Sequence, residues 1–398
     1  MSERFDALKA REERLLCRTY GRYPLSVVEA RGARLTDIDG REYIDLLGGI
    51  AVANLGHCHE ELAQLVERQA RKLIHVSNLF YQEEQLELAE RLLATNHLDK
   101  VFFCNSGAEA NEAGIKLARR YMQRVKQRDA GEIVTFTGAF HGRTLATVAA
   151  TGQERFADGF APIPGGFVQA PWGDPAALEA AITPHTAAVL MEVIQGESGI
   201  RPMTPACARS IEATCRKHDI LLICDEVQSG LGRTGKYWAF QHMGIEPDII
   251  TSAKALGNGL PLGAMMASAE AAKGFVAGSH ATTFGGGALL TAVGAKILEI
   301  MDRDRIVERT ARLGDRFLEK LRGLAARQPG KIVEVRGYGL MIGIELAIPG
   351  KPVWEELLKR GFVLNLTQDT VLRLLPPLTI DEADLEMFLV ALEELLSA

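Results

Sequence analysis

The sequence predicts an α/β protein: a large domain with a mostly parallel sheet wrapped by helices, and a smaller α+β domain drawn from both ends of the chain. Three observations predict it. Short apolar runs, such as Ala187–Met191 and Leu221–Cys224, read as parallel strands buried on both faces. Segments of helical period separate these runs, and alternation at that spacing argues for a parallel sheet. After Gly285-Gly286-Gly287 the pattern changes to a long helical stretch followed by short strands.

Residues 1–60 are rich in glycine and carry three short strands, Val27–Ala30, Ala33–Asp37 and Glu42–Asp45, with a turn at Asp39-Gly40. This segment is expected to pack with the C-terminal domain. From Glu60 the period changes, and Leu62, Leu65, Val66, Gln69 and Leu73 share one helical face. A second helix is predicted from about Glu83 to Leu93. Strand Val101–Phe103, a helix from Ser106 to about Val125, and strands Ile133–Phe136 and Ala187–Met191 follow. A helix over Pro205–His218 leads into the strand that ends at Asp225. The large domain is thus placed at 61–280 and the C-terminal domain at 281–398. The latter holds a helical stretch from Ala288 to Gly323 broken near Asp302, strands Gly339–Leu346 and Val371–Leu375, and a closing helix Glu382–Leu396.

Of the 398 residues, 47% are hydrophobic and 24% charged, which is ordinary for a globular enzyme. A net charge of −6 with interspersed signs leaves no nucleic-acid footprint. No apolar run reaches the roughly 18 residues of a membrane helix. The N-terminus lacks the apolar core of a secretory signal. The six cysteines are scattered without a CxxC pair, so free thiols in a reducing cytoplasm are expected. The spacing of His57-Cys58-His59 fits neither a helix face nor a closed zinc site, so no metal is expected.

Two apolar runs end in chemistry. Leu221–Cys224 ends at Asp225, and Ile249-Ile250-Thr251 leads to Lys254 between small residues. Ligands of such sheets sit at the carboxyl ends of the strands, so this acid and lysine can face one pocket. Pyridoxal phosphate (PLP) needs that pair, a lysine for a Schiff base and an acid to hold the pyridine nitrogen protonated.

Other loops at strand ends are candidates. Asn105–Glu112 opens a helix with Ser106 and Glu109 at capping-box spacing. It reads either as a plain cap, the commoner case, or as a phosphate site in which Gly107 permits close approach. Phe140–Thr144 offers a ring that can cover a planar cofactor and an arginine, Arg143, that can fork a carboxylate. Gln195-Gly196-Glu197 lies in the equivalent loop, and Thr282–Gly286 carries hydroxyls suited to phosphate or to a hinge. Arg373 sits inside an apolar strand, where it must be paired or border a cavity. Gly230–Lys236 matches GxGxxG and nearly matches a P-loop. It does not directly follow its strand, and Tyr237 stands where a P-loop needs Ser or Thr, so a nucleotide-binding NTPase is rejected.

These motifs, in this order, resemble the class III (fold type I) PLP-dependent aminotransferases, and within them the acetylornithine aminotransferases. The likeness runs from Arg41–Asp45 and Gly48–Val52 to Arg336-Gly337 and Arg373 with Pro376-Pro377. It implies that Lys254 carries PLP and shuttles the proton, while Asp225 binds the pyridinium N–H. It implies that Gln228 bonds the ring oxygen, Val227 and Phe140 sandwich the ring, and Ser106, Gly107 and Ala108 hold the phosphate. Thr283 would reach the phosphate of a neighbouring subunit, making a homodimer part of the site. Arg143 would grip the substrate carboxylate far from the reacting amine, Arg373 the α-carboxylate of glutamate or 2-oxoglutarate, and Glu197 would neutralise Arg373 between these visits.

The chain departs from the family pattern at Glu60, Ser198 (usually Gly), Asn258, Ala281 and Gly287-Ala288. The expected reaction is amino transfer from N²-acetyl-L-ornithine to 2-oxoglutarate, in arginine biosynthesis. Ornithine, 4-aminobutyrate and succinylornithine transaminases are the rivals, and a PLP aminomutase is a remote one. Ile50 stands where ornithine δ-transaminases tend to carry tyrosine.

Overall fold

A computed structural model describes residues 2–397. Its centre is a seven-stranded sheet. The strand order is Lys100–Cys104, Gly263–Ala267, Ile249–Ser252, Leu221–Asp225, Thr186–Met191, Glu132–Phe136, Phe167–Ala170. All neighbours are parallel except Gly263–Ala267, which runs antiparallel to both strands beside it. That strand and Phe167–Ala170 escaped the sequence reading, because Gly263-Ala264-Met265-Met266-Ala267 carries no β-branched residue to mark it. Every residue of Thr186–Met191, Leu221–Asp225 and Ile249–Ser252 is buried, which accounts for their unbroken apolar runs.

Side-chain caps fix where the flanking helices begin. Ser106 caps Gly107–Arg124, and Thr204 caps Pro205–His218 with proline in the first turn. Pro205–His218 ends on Asp219 in the left-handed region, with Arg216, Lys217 and His218 in its last turn complementing the dipole. The long C-terminal helical stretch is two helices, Ala288–Arg303 and Ile306–Arg327. They break at Asp304-Arg305, where Arg305 takes φ +52°, slightly beyond the Asp302 expected. Helices Glu3–Leu15 and Gly350–Lys359 were not anticipated. The first buries no residue, so no apolar stripe announced it.

The N-terminal strands Val27–Arg31, Arg34–Asp37 and Glu42–Asp45 form a sheet completed by Phe362–Val363, which pairs in parallel with Glu42–Asp45. A separate antiparallel sheet has the order Ile332–Tyr338, Met341–Leu346, Val371–Leu374, Asn365–Thr367. Arg233, from the glycine-rich motif, ties these parts together. Its buried guanidinium donates to the carbonyls of Pro376 (2.6 Å) and Leu340 (3.2 Å) and to Asn54. The glycines around it permit close packing: a Cβ on Gly235, at φ +83°, would lie 2.8 Å from the Ala311 backbone. The motif therefore serves packing between segments.

Candidate functional site

Asp225 and Thr251 stand in register on neighbouring parallel strands, so the loops that follow open at the same sheet edge. There lies a cavity of about 440 Å³ bordered by Gly107, Phe140, Arg143, Glu197, Asp225 and Lys254. Its size is that of a small-molecule site.

Asp225 is 5% exposed and closely held. Its Oδ2 accepts from Asn111 Nδ2 (2.7 Å) and His141 Nδ1 (2.8 Å), and its Oδ1 from the Val227 amide (3.0 Å). Because an ionised carboxylate only accepts, His141 must present its N–H at Nδ1. Asn111 also donates to the His141 carbonyl (2.8 Å) and accepts from the Thr251 hydroxyl (2.7 Å). A carboxylate has about four acceptor positions. Three are used, and the residue borders the cavity, so one position remains for a donor within it.

Lys254 begins a short 3₁₀ turn, Lys254–Leu256, with φ +42°, a strained conformation for a lysine. Burial draws its ammonium below the usual lysine range; Glu197 opposes that shift and Arg373 adds to it. The amine thus gives up its proton more readily than a surface lysine.

At the helix start, Ser106 Oγ accepts from the Glu109 amide (3.2 Å), and Glu109 accepts from the Asn105 amide (2.6 Å). The capping box is thus displaced by one residue, because Glu109 serves Asn105 and not Ser106. Gly107 has no room for a side chain: a Cβ there would lie 2.6 Å from Val227 Cγ1. Ser106, Gly107 and Ala108 all border the cavity, so the helix N-terminus faces it.

The two arginines differ. Arg373 is 1% exposed at its side chain, and its Nη1 meets Glu197 Oε1 at 2.6 Å and the Gly196 carbonyl at 3.2 Å. Asn365 Oδ1 receives its Nε (3.1 Å) and Nη2 (2.6 Å). Burial opposes the charge on Glu197, but the Arg373 guanidinium outweighs it and holds the carboxyl below its ordinary range. Arg143 is exposed at the cavity and lies over the ring of Phe156, 4.1 Å from its centroid. Among the described residues no carboxylate pairs with it. Gln228 Nε2 lies 3.4 Å from Glu197 Oε1, and its buried Oε1 has no partner.

Of the sequence-predicted residues, Arg373 stands behind the cavity lining, joined to it through Glu197, and Thr283 is not brought to the cavity of its own chain. It is exposed and lies outside the cavity lining. Sequence reasoning missed Asn111, His141, Glu192 and Asn365. Asn111 was legible as a polar residue on the apolar face of Ala110, Ala113, Gly114 and Leu117. Glu192 directly follows its strand, much as Asp225 ends another. Its Oε2 accepts from the Phe140 amide (3.0 Å) and its Oε1 from the Gly196 amide (3.3 Å), so one carboxyl joins two loops of the cavity.

The aminotransferase class-III family model matches residues 16–396. The chain belongs to this family. An acetylornithine aminotransferase of Methanocaldococcus jannaschii is 44% identical over 387 residues, covering 96% of each chain. The solved acetylornithine aminotransferase of Elizabethkingia anophelis superposes with a TM-score of 0.89 at 31% identity, covering 99% of both chains. An ornithine aminotransferase of Toxoplasma gondii, with PLP in partial occupancy at its active site, superposes with a TM-score of 0.94 at 30% identity, covering 99% of this chain and 94% of that one. The chain is an enzyme of PLP-dependent transamination, and its residues fit the cofactor. Asp225 has a free acceptor position, the helix N-terminus is open at Gly107, where a Cβ would crowd Val227, and a half-buried lysine completes the set.

Glu226, beside Asp225, turns away from the cavity. Its Oε1 accepts from the Phe240 amide (2.8 Å) and its Oε2 from the Ser229 hydroxyl (2.6 Å). Burial pushes its carboxyl up to about 7, from 4.5 in an unfolded chain. Between those values the native chain binds more protons. The stabilisation from this group is therefore full below the lower value and is lost as pH rises through the upper one. Glu226→Gln can keep both bonds, because the serine hydroxyl also accepts. Urea midpoints at pH 5 and pH 8 are expected to show the variant gaining on the parent as pH rises; a difference that does not change with pH contradicts the buried-acid account.

Proposed function

We propose that this enzyme transfers the δ-amino group of N²-acetyl-L-ornithine to 2-oxoglutarate, giving N-acetyl-L-glutamate 5-semialdehyde and L-glutamate. The observation that carries the reading is the unequal state of the two arginines. Acetylornithine presents its δ-amine to the reacting centre, and its α-carboxylate lies far off. Glutamate presents an α-amine, so one carboxylate lies near and one far. One arginine cannot serve both ends. Arg143, without a carboxylate partner, suits the far carboxylate in both half-reactions. Arg373, covered by Glu197, suits the near one, which only glutamate and 2-oxoglutarate carry. Glu197 keeps a buried cation compensated whenever acetylornithine leaves it without a carboxylate.

Bound PLP supplies an electron sink for the carbon that loses its proton. The chain's residues do the rest. Asp225 keeps a proton on the ring nitrogen, and Asn111, His141 and the Val227 amide hold that carboxylate in place. Lys254 would carry the cofactor, and its lowered proton affinity suits it to take the proton from the substrate carbon. Ser106, Gly107 and Ala108 would hold the phosphate, and Val227, Phe140 and Gln228 would hold the ring.

The active unit in this reading is a homodimer. Thr283 faces outward beside Phe284, Leu79, Phe80 and Tyr81, whose exposures run from 65% to 104%. Such an apolar surface around a hydroxyl-bearing loop suits a second copy of the chain, whose phosphate Thr283 would complete. The Methanocaldococcus jannaschii relative, 44% identical, is named an acetylornithine aminotransferase, which supports that donor over ornithine.

Two outcomes test the reading. Borohydride reduction of the holoenzyme, followed by peptide mapping, is expected to place the pyridoxyl label on Lys254; label on another lysine, Lys236 included, removes the assignment. Loss of a forked carboxylate contact corresponds to about 2–4 kcal/mol, or roughly 30- to 1000-fold in kcat/KM. Single-turnover rates are expected to show that loss for Arg373→Ala with glutamate and not with acetylornithine. Arg143→Ala is expected to lose with both donors. Equal losses in Arg373→Ala make Arg373 a structural arginine and overturn the assignment.

A further inference from the structure

Glu197 sits on a segment whose backbone is fastened at nearly every residue. The Gly196 amide donates to Glu192 Oε1 (3.3 Å), and the Gly196 carbonyl accepts from Arg373 Nη1 (3.2 Å). Gln368 Nε2 donates to the carbonyl of Glu197 itself (2.9 Å). Arg336 donates through Nη2 to the Gly199 carbonyl (2.8 Å) and through Nε to those of Gly199 (3.0 Å) and Ile200 (2.8 Å). The remaining anchor is the side chain of Ser198, whose Oγ donates to the Gly138 carbonyl at 2.5 Å.

The Ser198 anchor has a particular partner. Gly138 lies two residues before Phe140, on the loop that also bears Arg143, and it takes φ +80°. A Cβ on Gly138 would lie 2.8 Å from Ser198 Oγ, so the two segments are in close approach at this bond. Ser198 therefore joins the segment that covers Arg373 to the segment that presents Arg143. A glycine at this position would have no hydroxyl with which to make the link.

Anchors of this kind leave Glu197 one way to uncover Arg373. The backbone from 196 to 200 is tied to four other segments, so its carboxylate must leave by side-chain rotation and not by loop movement. A fixed backbone holds the Glu197–Arg373 pair at its 2.6 Å contact and strengthens it against a competing substrate carboxylate.

We infer that Ser198 is a specificity-determining positioning residue: by fixing the backbone of Glu197 it favours the state in which Arg373 is covered, and so favours ω-amino donors over dicarboxylate ones. The inference rests on the two-arginine reading proposed above. It concerns the balance between donors and not the chemistry at Lys254, so its signature is a change in KM for one donor class at nearly constant kcat.

The test uses the PLP-loaded holoenzyme and two variants, Ser198→Ala and Gln368→Asn. The first removes the hydroxyl and keeps a Cβ. The second shortens an exposed side chain at φ +50°, a conformation that asparagine tolerates, so folding does not depend on it. Each is expected to lower KM for glutamate about 5-fold, the factor that accompanies loss of one hydrogen bond. Each is expected to leave kcat/KM for acetylornithine within about twofold, because that donor does not compete for Arg373. Glu197→Ala is measured alongside. If Glu197→Ala leaves the donor ratio unchanged, the two-arginine reading itself falls. If Glu197→Ala shifts the ratio and neither anchor variant does, or if the anchor variants lose equally with both donors, the inference about Ser198 falls alone.

Discussion

A single buried carboxylate organises this protein. Asp225 closes a strand in which every residue is buried, and a charge there is tolerated only because three protein donors meet it. Each donor comes from a different element: Asn111 from the helix that begins at Gly107, His141 from the loop after Glu132–Phe136, and the Val227 amide from the turn just beyond. Satisfying Asp225 therefore fixes three of the pieces that border the cavity. Asn111 extends the arrangement to Thr251, on the strand that delivers Lys254. The acid and the lysine are set relative to each other by hydrogen bonds within the sheet core as well as by strand pairing.

Around that fixed centre the substrate-facing groups are built to differ. Arg373 lies deep, forked onto Asn365 and covered by Glu197, while Arg143 rides on the Phe156 ring at the mouth. Buried ion pairs contribute little net stability because both partners lose water. In the proposed reading the Glu197–Arg373 pair is a placeholder that a substrate carboxylate would displace. Glu192 and Ser198 then connect the loops bearing these residues, so the two ends of the substrate site move, or stay, together.

Much of this was legible in the sequence, for physical reasons. Strands buried on both faces must be apolar throughout, so Leu221–Asp225 and Thr186–Met191 announced themselves, and an acid ending such a run needs a purpose. Caps are local, so Ser106 and Pro205 marked their helices to within a residue. The antiparallel strand Gly263–Ala267 was not legible, because small residues and methionines suit helix and strand alike. The helix Glu3–Leu15 was silent because it buries nothing. In the site, most residues bordering the cavity that the sequence singled out lie where expected, and those that brace them from behind were not singled out. Asn111, His141 and Asn365 act through contacts with residues 8 to 114 positions away, which no local pattern encodes. The glycine-rich stretch at 230–236 shows the converse: a familiar spacing whose glycines here admit packing of Ala311 and the passage of Arg233 into the core.

The central claim is that the negative charge of Asp225, and not only its shape, makes the site work. Asp225→Asn keeps the size of the side chain and removes the charge. With the variant loaded with PLP, confirmed by its absorbance, single-turnover rates with acetylornithine and with glutamate are expected to fall together by at least about 100-fold, the scale on which loss of one preorganised electrostatic contact is felt. Near-normal rates for either donor with the cofactor bound would contradict the account.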